Sequence, residues 1–364
     1  MSFSILGIGT AVPPHAMSQA AAADLARQVI CQSEQQARLL KVLYQKAGVA
    51  NRYTVLPHEI ALNWIPPKPE GSTQATVAPT FGPTTGERMQ FFAEHATSLA
   101  LRAARQALEA ANVEGRRVTH LVTVSCTGFS APGVDIDLVR GLGLRPSTQR
   151  VQVGFMGCHG AINGLRVAQA LVADPRSCVL LCAVELCSLH YRFHWDPDRI
   201  VANALFADGA AAVVGRGETS ESASGWSVAA TGSGLLPDSL DVMTWRIGDH
   251  GFEMTLTARA PDLIQKHLRP WLSEWLGEHN LRIEEIGSWA IHPGGPRILQ
   301  ACRDSIGLTR EQTIVSEEIL AEYGNMSSPT ILFIVNRLIQ RQAARPCVSL
   351  AFGPGLAVEA ALFR

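Results

Sequence analysis

Three side chains of different chemistry stand in or beside glycine-bearing turns: Cys158 in GFMGCHGA, His292 in IHPGGPRIL and Asn325 in YGNMSSPTILF. A cysteine offers a nucleophile, a histidine a proton carrier and a carboxamide a neutral N–H donor. Such a set can attack an acyl carbon and stabilise the oxyanion that forms. Cys158 follows RVQVGF, a short strand pattern of alternating polarity, and precedes AINGLRVAQALVA, a helical run in which only Arg166 is charged. A helix apolar almost all round belongs in an interior. Cys158 is therefore expected on a tight turn between a buried strand and the N-terminus of a buried helix. The helix dipole and its unpaired N–H groups favour a thiolate there. The flanking glycines allow a sharp turn and close approach to the sulfur. A small buried structural cysteine fits the same pattern.

The elements that must hold these residues read as two copies of one unit. In the first copy SFSILGIGTAVPP is a buried strand, residues 19–44 and 87–112 are helical, and HLVTVS is a strand ending at Cys126-Thr127-Gly128. A helix over 136–144, the Cys158 element, and strands over 178–186 and 210–215 complete it. Residues 64–86, dense in Pro, Gly and Thr, read as an exposed loop inside the unit. In the second copy a helix over 261–279 leads into RIEEIGSWAIHPGG, which matches GRRVTHLVTVSCTG. PRILQACRDSIGL answers VDIDLVRGLGL. TREQTIVSEEILAEYGNMSSPTILFIVNRLI answers RPSTQRVQVGFMGCHGAINGLRVAQAL, which sets TIVSEEIL against a strand. PCVSLAFGPGLAVEAALF closes the chain with two strands. Fused halves, residues 1–220 and 221–364, imply a layered α/β protein with a central pair of buried helices. In this register Asn325 is the counterpart of Cys158, and His292 that of Cys126. Ser328 is expected as an N-cap, with Pro329 at the first helical position. Packing about a pseudo-twofold axis would bring Cys158, His292 and Asn325 to one spot. Taken singly, His292 also reads as a loop histidine and Asn325 as a turn former.

The chain has 364 residues, is 47% hydrophobic and carries a formal net charge of -1. That supports a large core and gives no reason to expect nucleic acid or an anionic membrane as partner. The N-terminus lacks a basic leader, and no segment reaches the length of a membrane span, so a cytoplasmic protein is expected. The eight cysteines are irregularly spaced and several fall in apolar strands, as reduced thiols do. Cys178, Cys182 and Cys187 lie in SCVLLCAVELCSL with no second ligand pair of zinc-type spacing, so no metal is expected.

GFMGCHGA, IHPGGPRIL, YGNMSSPTILF, ALFADGAAAVVG and AFGPGL, in this order over essentially the whole chain, closely resemble type III polyketide synthases. These are the chalcone synthase-like branch of the thiolase superfamily. The resemblance implies a homodimeric, duplicated five-layered αβαβα thiolase-like fold. It also implies acyl-CoA starters, malonyl-CoA as extender, no cofactor and no carrier protein. By the family pattern Phe206 matches an aromatic gate between the CoA tunnel and the reaction pocket. Met254 falls where plant members usually carry a second, Phe gate. Ala131 falls where a Met of those enzymes crosses the dimer, and Cys126 where a pocket Thr stands. These departures imply a cavity roomier than, or shaped differently from, a chalcone-forming one. The same resemblance sets Thr127, His190, Gly294, Gly295, Ser327, Gly353 and Pro354 among substrate-binding positions, and Lys46 and Arg52 at the CoA phosphates. DVMTWRIGDHGFEMTL resembles bacterial relatives that use fatty acyl starters and make alkylpyrones or alkylresorcinols.

Rival readings share parts of this pattern. A ketosynthase III-type enzyme would use the same Cys, His and Asn for one condensation, but AFGPGL and the Phe206 motif argue against it. A thiolase needs a second active-site Cys in the last repeat; Phe352-Gly353-Pro354 offers none, and Cys347 lies earlier. A Cys–His hydrolase fits a buried helix start less well. A non-catalytic acyl-CoA-binding dimer would not need all three chemical residues.

Overall fold

The computed structural model describes residues 1–64, 81–197, 199–218 and 225–364. Most of the loop expected over residues 64–86, and the expected boundary at 220/221, lie outside the described residues. The first half runs β1 (Ser2–Ala11), β2 (His15–Ser18), α1 (Gln19–Ile30), α2 (Glu34–Lys46), β3 (Asn51–Thr54), α3 (Ile60–Asn63), α4 (Thr85–Ala110), β4 (His120–Ser125), α5 (Val134–Gly141), β5 (Gln149–Gly154), α6 (Gly160–Leu171), β6 (Cys178–Leu186), α7 (Ile200–Leu205) and β7 (Asp208–Glu218). The second runs β8 (Ser227–Leu235), β9 (Met243–Gly248), β10 (Gly251–Leu256), α8 (Ala260–Glu278), β11 (Ser288–Ile291), α9 (Pro296–Ile306), α10 (Ile314–Tyr323), α11 (Pro329–Gln340), β12 (Cys347–Gly353) and β13 (Ala357–Phe363).

Among the described residues nine strands join in the order β11-β12-β13-β8-β1-β7-β6-β4-β5. The seam between the halves is short: Phe3 faces Val228 and Ser4 faces Ser227. Three buried cores show the layers. The central one holds Ile162 and Leu165 of α6, and Ile331 and Ile334 of α11, against residues from both groups of strands. A second sits between the β4–β6–β7 face and α4 with α5. A third sits between β12–β13 and α8 with α9. The result is helix, sheet, helix, sheet, helix: the five-layered thiolase-like arrangement. Each large apolar side chain buried this way contributes about 1.5–3 kcal/mol.

Local chemistry explains the elements that flank the site. α4 begins at Thr85 rather than 87 because Thr84 and Glu87 form a reciprocal capping box. Arg166, the single charge on α6, is not wasted in the core: it reaches Glu359 on β13 and donates to Gly232 O at 3.1 Å. One expectation fails. The segment set against a strand by the repeat is helix α10. Its buried Val315 and Ile319 are four apart, with Ser316 and Leu320 beside them, which is a helical face and not a strand's alternation.

Candidate active site

Cys158 occupies a single 3-10 turn, Gly157–His159, that runs directly into α6. Phe155 and Gly157 both take left-handed backbone, with φ of +59° and +76°. At 157 a side chain is also excluded, since a Cβ would lie 2.6 Å from Pro354 Cδ. Phe155 bears a conformation that costs a bulky residue about 1–3 kcal/mol. Its ring packs on Phe129 and Phe252, which hold it there. The turn thus presents the sulfur from a fixed backbone.

Ser327 links two of the three chemical residues. Its hydroxyl donates to Cys158 Sγ at 3.6 Å and lies 3.4 Å from Cys126 Sγ. Its own N–H donates to Asn325 Oδ1 at 2.8 Å, which leaves the Nδ2 end of that amide as the donor. Asn325 in turn bonds through its backbone to Leu205 O and Ala207 N, on either side of Phe206. His292 leaves β11 with its N–H on Leu350 O, while Gly353 and Pro354, at the end of that neighbouring strand, pack on His159 and Gly157. Both ring nitrogens of His292 are buried and have no hydrogen-bond partner among the described residues. Ser328 does start α11, with Pro329 next, but its side chain makes no cap. It donates instead to Glu185.

The electrostatics correct one expectation. Burial pushes the Cys158 thiol up to about 12, opposed by the Ser327 hydroxyl and reinforced by the Glu185 charge. Burial, with a smaller contribution from His159, pushes His292 down to about 3. Both groups are therefore pushed towards a thiol and a neutral imidazole, where the helix start alone led to an easily ionised thiol: burial is the largest cause at each.

Glu185 is a functional neighbour that the sequence reading passed over. It is fully buried on β6. It accepts from the Cys126 N–H at 2.9 Å, Thr127 Oγ1 at 2.6 Å and Ser328 Oγ at 2.7 Å. The signal was present: one carboxylate inside the apolar run LLCAVELC.

Cys158, Cys126, Thr127, Ser327 and Pro354 line one cavity whose empty space, mouth included, is about 1330 Å³. Phe206, Met254 and His190 line it as well. His292, Asn325, Gly353, Gly294 and Gly295 are not among the residues that line it, and Ala131 and Lys46, which do not line it either, are exposed. On one side the wall is aromatic. The His190 ring stacks on Phe252 at 4.3 Å, and Trp245 stands edge-on to both. Trp245 Nε1–H donates to Cys126 O at 2.7 Å. His190 Nε2–H donates to Thr127 O and Nδ1 accepts from the Phe252 N–H, so its tautomer is fixed, and burial holds it neutral with a pKa of about 3.

Arg52 is not at a surface. It is buried, and its guanidinium donates to Asn203 O at 2.6 Å, Ala204 O at 2.6 Å and Phe206 O at 3.2 Å, and also to Gln19 Oε1. It closes the carbonyl end of α7 and holds the backbone of Phe206, so it is unavailable to a CoA phosphate. Lys46, the last residue of α2, remains exposed. All eight cysteines are free. Among the described residues no cluster of three or more His, Cys, Asp or Glu is arranged to hold a metal ion, and no helix is long and apolar enough to cross a membrane.

Residues 2–218 match the family model for the N-terminal domain of chalcone and stilbene synthases, and residues 227–364 the model for their C-terminal domain. The chain is 33% identical to "Alpha-pyrone synthesis polyketide synthase-like Pks18" of Mycobacterium tuberculosis, over 99% of this chain and 90% of that one. It is 34% identical to 1,3,6,8-tetrahydroxynaphthalene synthase of Streptomyces peucetius subsp. caesius, over 99% and 93%. The structure of PKS-I from the brown alga Ectocarpus siliculosus superposes with a TM-score of 0.91 at 29% identity, covering 100% of this chain and 99% of the other. The type III domain of Steely1 from Dictyostelium gives 0.89 at 26%, with 100% and 99% covered. A cysteine on a glycine turn at the head of a buried helix, an orphan imidazole, an oriented carboxamide and these matches over the full chain lead to one assignment: the chain belongs to the chalcone and stilbene synthase family and is a type III polyketide synthase, an acyltransferase.

Proposed function

We propose that Cys158 carries the growing chain, that His292 moves the proton and that His292 with Asn325 holds the developing negative charge. The observation that supports this is the Ser327 bridge: its hydroxyl meets the Cys158 sulfur at the cavity wall and its backbone N–H holds the Asn325 amide oxygen. In this reading the Cys158 thiol gives its proton to the neutral His292 as sulfur attacks the starter thioester carbonyl. The CoA sulfur leaves with that proton. Malonyl-CoA loses carbon dioxide, and the enolate oxygen is met by N–H groups of Asn325 and His292; each such donor is typically worth about 10²–10³ in rate. The enolate carbon attacks the Cys158 acyl carbon, the C–S bond breaks, and the chain has grown by two carbons. Ring closure releases the product. A mostly apolar, water-poor chamber protects the intermediates.

The starter in this reading is a fatty acyl-CoA and the product an alkylpyrone or alkylresorcinol. The relative named for alpha-pyrone synthesis supports it. CoA thioesters are the only small molecules required. The working form is a cytoplasmic homodimer of duplicated chains, residues 1–220 and 221–364 each forming one half; eight free thiols support a reducing compartment. The test is incubation with malonyl-CoA and a starter panel, with mass spectrometry of products. Long acyl starters should give pyrones or resorcinols. Cys158→Ala should abolish product while keeping the circular dichroism spectrum. A product profile confined to aromatic starters would reject the starter class; full activity of Cys158→Ala would reject the mechanism.

A further inference from the structure

Helix α2 has two unlike faces. Leu40 and Tyr44 are buried, and they belong to one apolar cluster with Ala26 and Ile30 of α1 and Ala204 of α7. Tyr44 also lines the cavity that holds Cys158. The opposite face carries Arg38, Leu39, Lys41, Val42, Gln45 and Lys46, all exposed. Side chains three and four positions apart share one surface of a helix, so these six form a single patch. Leu39 and Val42 are 47% and 42% exposed and stand among the cations. Beyond Glu34, its first residue, the helix has no acidic side chain. Among the described residues Arg38, Lys41 and Lys46 make no ion pair and no side-chain hydrogen bond. The net charge of -1 gives the chain as a whole no attraction to an anionic surface. The outer face of α2 supplies a local one.

We propose that this face docks the protein reversibly on an anionic lipid surface. Arg38, Lys41 and Lys46 meet the headgroup phosphates, and Leu39 and Val42 enter the boundary beneath them. Two features select this occupant. Unpaired cations on a face without acids complement a negative partner. An acidic peptide or a nucleic acid would use those cations and leave Leu39 and Val42 in water. An anionic bilayer takes both kinds of side chain, because its charge lies directly above hydrocarbon. Three cations and two apolar side chains give weak attachment, so the protein comes and goes. Tyr44 ties the patch to the reaction chamber: a docked α2 sets one wall of the cavity against the phase in which long-chain thioesters and their products collect. Docking needs no turnover, so it is measured apart from the chemistry proposed above.

The test is flotation of the full chain with lipid vesicles at about 0.1 M salt. Partition onto phosphatidylcholine vesicles containing about one-third phosphatidylglycerol should exceed that onto pure phosphatidylcholine roughly tenfold or more, and should fall at about 1 M salt. Replacing two cations, Arg38→Gln with Lys41→Gln, should lower it roughly twentyfold. Replacing the apolar pair, Leu39→Ser with Val42→Ser, should lower it roughly tenfold. Both pairs are at the surface, leave Lys46 in place and should keep the native circular dichroism spectrum. If a pair fails to fold, the single variants Lys41→Gln and Leu39→Ser are floated instead, and each should weaken binding. Failure of the native chain to float with the anionic vesicles, or equal flotation with neutral ones, overturns the proposal. So does native-like binding by both variants, which would place the contact on another face. Loss with the cation pair but not with the apolar pair would assign the patch to an acidic solute or protein, and the lipid surface falls.

Discussion

Burial decides the protonation of the residues around the nucleophile. Cys158 and His292 are both pushed towards their neutral forms, so the proposed attack must create charge as it proceeds and needs donors already in place. His190 offers a clean measurement of the same effect. Its native pKa of about 3 lies below the ordinary 6.5. Between these values the unfolded chain binds a proton that the native chain does not, so His190 lowers stability as pH falls from about 6.5 towards 3. One proton corresponds to about 1.4 kcal/mol per pH unit. His190→Gln can keep both hydrogen bonds, to Thr127 O and from the Phe252 N–H, without titrating. Urea unfolding at pH 7 and pH 4.5 should therefore show a smaller acid loss in the variant than in the wild type. His292 shifts in the same direction but is present in both proteins and cancels. Equal acid losses would contradict a buried neutral His190.

At the scale of elements, Arg52 shows what is and is not readable in a linear chain. The alternation of strand and helix, the turn at Cys158, and the starts of α6 and α11 follow from periodicity and glycine placement. Arg52 does not. Its role depends on Gln19, Asn203, Ala204 and Phe206, and three of these stand about 150 positions away. Nothing local distinguishes a guanidinium that caps a distant helix from one in solvent. Helix α10 escaped for a related reason: the repeat predicted a strand, while the local 3.6-residue pattern, which won, was overruled by analogy. Glu185 was legible as a misplaced charge, but its partners were not. Arg52→Ala should leave Phe206 O without its side-chain donor and take one of two side-chain donors from each of Asn203 O and Ala204 O, which Tyr44 and Gln19 still serve, and so destabilise the protein by about 1–3 kcal/mol. A phosphate contact would instead raise KM and spare stability. Denaturant unfolding beside CoA-substrate kinetics separates the two.

At the scale of the molecule, the halves share one central core and meet at the Phe3–Val228 and Ser4–Ser227 pairs. Ser227 also exchanges backbone hydrogen bonds with Arg364, the last residue. Neither half can open without exposing α6 and α11. Unfolding should therefore be a single transition. Tryptophan fluorescence, weighted to the second half by Trp226, Trp245, Trp271, Trp275 and Trp289, and far-ultraviolet circular dichroism, which samples the whole, should give superimposable urea curves. Two separated midpoints would show that the halves fold independently.

The grip of Glu185 has a consequence for recombination. A hybrid assembled from the front of one synthase and the back of another inherits this carboxylate from the first parent and the hydroxyl of Ser328 from the second. Parents that do not match at this pair would take one donor from a buried carboxyl group that desolvation already pushes towards its neutral form. Compatibility at that single contact, more than average similarity, should sort working hybrids from dead ones.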